Sequence, residues 1–126
     1  MKILLYIALG GALGAVSRYY VMTQAGHWLS LSFPYGTIIV NVLGSFILGV
    51  LTEIMALSWS VSPEIRAFLI VGILGSFTTF STFSLDVLYL FERGQTTSAA
   101  VYIAASVVLA IVAFILGMRL FRLILT

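Results

Sequence analysis

The chain has 126 residues, 62% of them hydrophobic and only 8% charged, and its mean hydropathy of +1.21 lies far above that of a soluble domain. This is the composition of an integral membrane protein: a span takes roughly 20 apolar residues, so four spans use about 80 and leave too few for a soluble domain. The absence of cysteine excludes disulfides, thiolate metal sites and a catalytic thiol, a single histidine builds no metal site, and a net charge of +2 points to lipid headgroups rather than nucleic acid.

The first span is predicted over residues 3–22. Its basic start, apolar run and small residues have the outline of a secretion signal. The other spans need it as a packing partner, however, so cleavage is not expected. Gly10 and Gly14 form a small-xxx-small face for close helix approach. Arg18 lies one turn further on, still within the apolar stretch. Taken alone, snorkelling to headgroups or structural pairing outweighs exposure to a watery cavity. Residues 23–34 are predicted as a connection, with His27 a solvated loop residue and Trp28 and Tyr35 as interface anchors.

The second span, residues 35–57, carries Thr37, Asn41 and Gly44 along one helix stripe. The Asn41 amide is costly in hydrocarbon unless paired, so it faces the protein interior. As a lone observation it reads as glue between helices before it reads as a ligand. Glu53 near the far end is expected to reach the interface. In the connection at 58–64, Pro63 suits a helix start with Ser62 as its cap.

The third span, residues 65–90, is interrupted at 75–79. Gly72 and Gly75 are poor helix formers, and the stretch Gly72–Ser84 holds six hydroxyls in membrane depth. These hydroxyls bond freed backbone groups, and such breaks recur where backbone lines a polar cavity. At Gly75 the expectation is a backbone angle special to glycine, which a β-branched valine would disfavour. Beyond the break, Phe77, Phe80 and Phe83 recur every third residue, with Ser81 and Ser84 beside them. Asp86 is read as vestibular or paired with an arginine, the pairing favoured. Glu92, Arg93 and Gly94 end the helix.

The fourth span, residues 99–120, sets Tyr102 and Ser106 four apart on one face. On its own, Tyr102 reads as an interface belt tyrosine. Four spans put Lys2, Arg66, Arg119 and Arg122 at one end and Arg18 and Arg93 toward the other. So weak a bias makes insertion in both senses feasible, and with it an antiparallel dimer. The expected fold is an all-α membrane protein forming one domain over residues 1–126.

Mid-span carboxylates and histidines are missing, which argues against a proton-coupled pump or a cation-selective acidic ring. The interior offers amide donors, hydroxyls and ring edges of partial positive charge, all suited to an anion. Arg18 after a Gly-Gly-x-x-Gly-Ala run, the segment Gly36-Thr37-Ile-Ile-Val40-Asn41, and Thr78-Thr79-Phe80-Ser81-Thr82-Phe83-Ser84 together resemble the Fluc (CrcB) family of fluoride channels. The resemblance covers all four spans.

That resemblance implies an antiparallel dual-topology homodimer in the bacterial inner membrane, exporting fluoride passively through two pathways built from both subunits, with no enzymatic activity. It implies that Asn41 lines the pathway and that Phe80 and Phe83 meet fluoride by their ring edges. Tyr102, Thr37, Ser106 and Ser81 join them in the pathway, and Arg18 lies near an aqueous vestibule. It also implies a central structural sodium ion held by the backbone carbonyls of Gly75 and Thr78 from each subunit. Ser76 stands where the family often repeats glycine, and Asp86 where it commonly has glutamate. The runner-up is a small dual-topology multidrug transporter, but such proteins resemble one another in a carboxylate midway along the first span, and none is present here.

Overall fold

The computed structural model describes residues 1–126 and is helical throughout. Helix α1 is Lys2–Trp28 and α2 is Tyr35–Leu57. The third span is split into α3 (residues 63–77) and α4 (Phe80–Glu92), and α5 is Thr96–Leu125. All four spans are long and apolar enough to cross a membrane. Only 19 of 126 residues are buried within the single chain, so most of its apolar surface faces outward, as lipid contact requires.

The helices outrun the spans read from hydropathy. The first continues to Trp28, leaving only residues 29–34 as the connection, and His27 lies exposed in its last turn rather than in a loop. The last begins at Thr96 and continues to Leu125. Thirty residues extend about 45 Å, beyond a hydrocarbon core of about 30 Å. Hydropathy marks where lipid ends, whereas a helix stops where a breaker or a cap stops it. Gly94 supplies such a stop after α4: its φ of +76° is open chiefly to glycine, and the following Gln95 amide returns to the Leu90 carbonyl at 2.9 Å. At the start of α3, Ser62 accepts from the Ile65 amide at 3.2 Å with Pro63 in the first turn, as its sequence predicts.

Two glycine seams hold the bundle. A Cβ added at Gly72 of α3 would lie 2.8 Å from Gly10 Cα of α1, so these backbones touch. One turn along, Gly14 faces Ile73 and Ser76 with no room for a side chain. The predicted small-xxx-small face of α1 is therefore the contact with α3. The second seam joins α2 to α5, where a Cβ on Gly117 would come 3.1 Å from the Val50 amide nitrogen, and Gly49 abuts Phe114.

Near the end of this second seam, Glu53 departs from expectation. It is 2% exposed and accepts from Arg122 Nε at 2.7 Å instead of reaching the interface. Helix packing covers the acid, and a buried carboxylate requires a partner.

The third span breaks within the expected stretch, at its last two residues. Ala67–Leu74 winds with the wider π-helical pitch, and Gly75–Phe77 completes α3 in α conformation. Thr78 (φ −84°, ψ 157°) and Thr79 (φ −152°, ψ 116°) are then extended. Gly75 has ordinary right-handed angles, φ −61° and ψ −32°, so the expectation of a glycine-only conformation there is corrected. A Cβ at Gly75 would meet only the Ile70 carbonyl oxygen, at 3.5 Å. Ser76 carries no strain either, since no residue other than glycine has positive φ. Its hydroxyl is within hydrogen-bonding distance of the carbonyls of Gly72 at 2.6 Å and Gly11 at 2.9 Å, tying the π segment to α1.

Candidate functional site

The break is satisfied from α2. Asn41 Nδ2 donates to the Thr79 carbonyl at 3.1 Å, and the Thr79 amide donates to Asn41 Oδ1 at 2.7 Å. One side-chain amide thus replaces both backbone partners that the extended residue loses, and one Asn41 N–H remains for another acceptor. Thr79 caps α4 by accepting from the Thr82 amide at 3.1 Å. The Thr78 amide and hydroxyl both donate to the Leu74 carbonyl, at 3.1 and 3.0 Å. Neither Thr78 nor Thr79 donates to the Gly75 carbonyl, which belongs to an exposed residue.

Beside the break lies a cavity of about 370 Å³, lined by Asn41, Gly44, Thr78, Phe80, Phe83 and Ser106 among others. Gly44 is required by close approach, since the Thr78 methyl occupies the place of its side chain. The Ser106 hydroxyl is buried and has no hydrogen-bond partner, an expensive state for a polar group in a membrane protein interior. The start of α4 is at the same cavity, adding the positive end of its dipole.

From this cavity a row of rings leads along the bundle. Phe80 and Phe83 centroids are 5.4 Å apart, and Phe83 lies 5.2 Å from Tyr102. Behind Phe83, Tyr102 is fully buried, which removes it from any interface belt. Its hydroxyl donates to Asp86 Oδ2 at 2.9 Å, and the buried Thr37 hydroxyl donates to the same oxygen at 2.6 Å. Asp86 is therefore held by two neutral hydroxyls, not by the arginine favoured from sequence. It also lines an open cavity of about 560 Å³ with Tyr89, Glu92 and Arg93, so it stands between the bundle interior and its end.

Arg18 faces the other side of α4. Its Nη1 is 3.5 Å from Thr82 Oγ1, and both residues line a separate cavity of about 350 Å³. Arg18 Nε is buried without a partner, so this arginine is turned inward instead of snorkelling. Ser81 is exposed, 3.3 Å from Thr79 Oγ1, and is not part of the lining around Phe80 and Phe83. Asn41, Phe80, Phe83 and Ser106 are thus gathered at one cavity, with Thr37 and Tyr102 behind it and Arg18 at another. Sequence reasoning missed that Asp86 joins Thr37 and Tyr102, for which the only signal was an acid within an apolar helix.

Polar groups gathered at a helix break among four apolar spans define a multi-pass membrane protein whose candidate site is a cavity opening on one face of the helix bundle. The chain belongs to the CrcB family: the family model described as CrcB-like protein, Camphor Resistance (CrcB), matches residues 5–118. It is 52% identical over 122 residues to the fluoride-specific ion channel FluC of Rhodospirillum centenum, covering 97% of each chain. It is also 50% identical over 121 residues to the protein of that name from Nitrobacter winogradskyi, covering 96% of each chain. These relatives are ion channels and not enzymes.

Proposed function

We propose that this chain is a passive, fluoride-selective channel of the bacterial inner membrane. The observation that carries the reading is the cavity lined together by Asn41, Phe80, Phe83 and Ser106, with the Ser106 hydroxyl buried in its wall without a partner. A small anion there would accept from Ser106 and from the free Asn41 N–H, with the positive ring edges completing its shell. Thr37 and Tyr102 hold the next position. Each has one hydroxyl proton, and both protons are committed to Asp86, so fluoride advancing past Phe83 would compete with that carboxylate for them.

The working unit in this reading is an antiparallel, dual-topology homodimer with two pathways. Phe80 is 77% exposed at the rim of this mainly apolar cavity, which holds a few polar groups, and Gly75 is bare backbone beside it. A second copy would close that cavity with its own matching face, whose hydroxyls and backbone groups offer polar partners that lipid tails lack. The sodium assignment fits the donors present. Carbonyl oxygens suit a hard cation, and no cluster of acids, histidines or cysteines competes for it. Gly75 and Thr78 from two copies would supply four carbonyls, and the ion would stabilise the backbone break.

Purified protein in liposomes tests the function. Fluoride efflux down its gradient, without chloride efflux, is expected. Equal fluoride and chloride efflux, or fluoride movement only when coupled to protons, would overturn the reading.

A further inference from the structure

We propose that Arg119 and Arg122, near the end of α5, form a binding site for the phosphate of an acidic phospholipid. The two arginines are three residues apart and share one face of the helix. With Ile115 and Met118 they line a concavity of about 220 Å³. Residues 99–118 contain no charge, so Arg119 is the first charged group met on leaving the apolar stretch, at the depth of headgroup phosphates.

Arg122 is held for this purpose. Its Nε donates to Glu53 Oε1 at 2.7 Å, and Glu53 is fixed in the seam between α2 and α5 at 2% exposure. The Arg122 side chain is itself 56% exposed, and its two terminal nitrogens remain free of that bond. Glu53 offsets one of the two guanidinium charges, leaving one net positive charge and a pre-oriented fork. Paired N–H donors in that geometry match phosphate oxygens. Ile115 and Met118 supply apolar contact for the start of an acyl chain, and the outward-facing Leu116 and Val112 continue it toward the membrane centre. Inorganic phosphate has no chain to place there. The inference rests on the membrane spans alone and is independent of the fluoride pathway and of dimer formation.

Native mass spectrometry of the intact protein in mild detergent tests it, with phosphatidylglycerol and phosphatidylcholine of matched chain length as probes. Wild-type protein should retain phosphatidylglycerol on the order of tenfold more strongly than phosphatidylcholine, as expected of a charge-assisted phosphate pair. Arg119→Gln, an exposed change, should remove most of that preference while fluoride efflux from phosphatidylcholine liposomes persists. Glu53→Gln is the sharper probe: it raises the local positive charge but releases Arg122. A positioned fork predicts weaker phosphatidylglycerol retention in this variant, and simple charge attraction predicts stronger. Millimolar inorganic phosphate should not displace the lipid. Equal retention of the two lipids by wild type, undiminished preference in Arg119→Gln, stronger retention in Glu53→Gln, or displacement by free phosphate would each overturn the proposal.

Discussion

Glu53 and Asp86 are both carboxylates set into apolar spans, yet the bundle treats them differently. Glu53 is closed off between α2 and α5 and meets a full opposite charge on Arg122. Asp86 is only partly buried, faces a cavity on one side, and is held by the neutral hydroxyls of Thr37 and Tyr102. A guanidinium is permanently charged and stays with its carboxylate, whereas a neutral hydroxyl donates its proton to whichever acceptor competes best. The first arrangement fixes two helices. In the proposed pathway, the second holds donors that an entering anion would recruit.

The largest expected effect separates these roles directly. Asp86→Ala should depress fluoride flux by about a hundredfold, because the Thr37 and Tyr102 hydroxyls lose the carboxylate that aims both at one point and fluoride then loses two charge-assisted donors there. Glu53→Gln should leave flux within about twofold while lowering stability by about 1 kcal/mol, because Arg122 is largely exposed and its pairing is screened. Liposome efflux and thermal unfolding of the two purified variants measure both. If the two variants lose flux equally, the distinction between the acids collapses.

A smaller effect is expected at the ring between the Asp86 cluster and the Ser106 cavity. Phe83→Ile keeps apolar bulk but deletes the ring that lies between Phe80 and Tyr102, and with it the positive ring edge, and flux should fall by about tenfold. Helix content, read by circular dichroism, should not change. Wild-type flux in this variant would return Phe83 to a packing role and leave the two polar groups unconnected.

The smallest and most localised change is Gly75→Ala. Within the chain its added methyl meets only the Ile70 carbonyl oxygen at 3.5 Å, in ordinary contact, and the backbone there is normally helical. Stability of the single chain should therefore stay within about 0.5 kcal/mol of wild type. Any larger loss should appear as weakened association, measured by subunit dilution in membranes, together with reduced sensitivity of association to sodium. Unaltered association would count against a partner and a cation at this surface.

Composition alone determined that the chain spans a membrane four times, because hydrocarbon length and apolar run length are the same constraint. Gly10 and Gly14 announced a close helix contact, since only small residues allow backbones to touch. The polar stretch after Gly72 announced a break, since hydroxyls at that density are wasted on a lipid-facing helix. The polar stretch placed it within 75–79, but that only Thr78 and Thr79 become extended was not legible, because the π-helical winding of residues 67–74 and the two-sided bond from Asn41 fix that point.

The partners of the ionisable groups belonged wholly to the tertiary structure. Glu53 lies 69 residues from Arg122, and Asp86 lies 49 from Thr37. No local periodicity couples residues so far apart. Whether an acid in a span reaches water, an arginine or a hydroxyl depends on which helix face meets which. In this chain the glycine seams between α1 and α3 and between α2 and α5 set those faces.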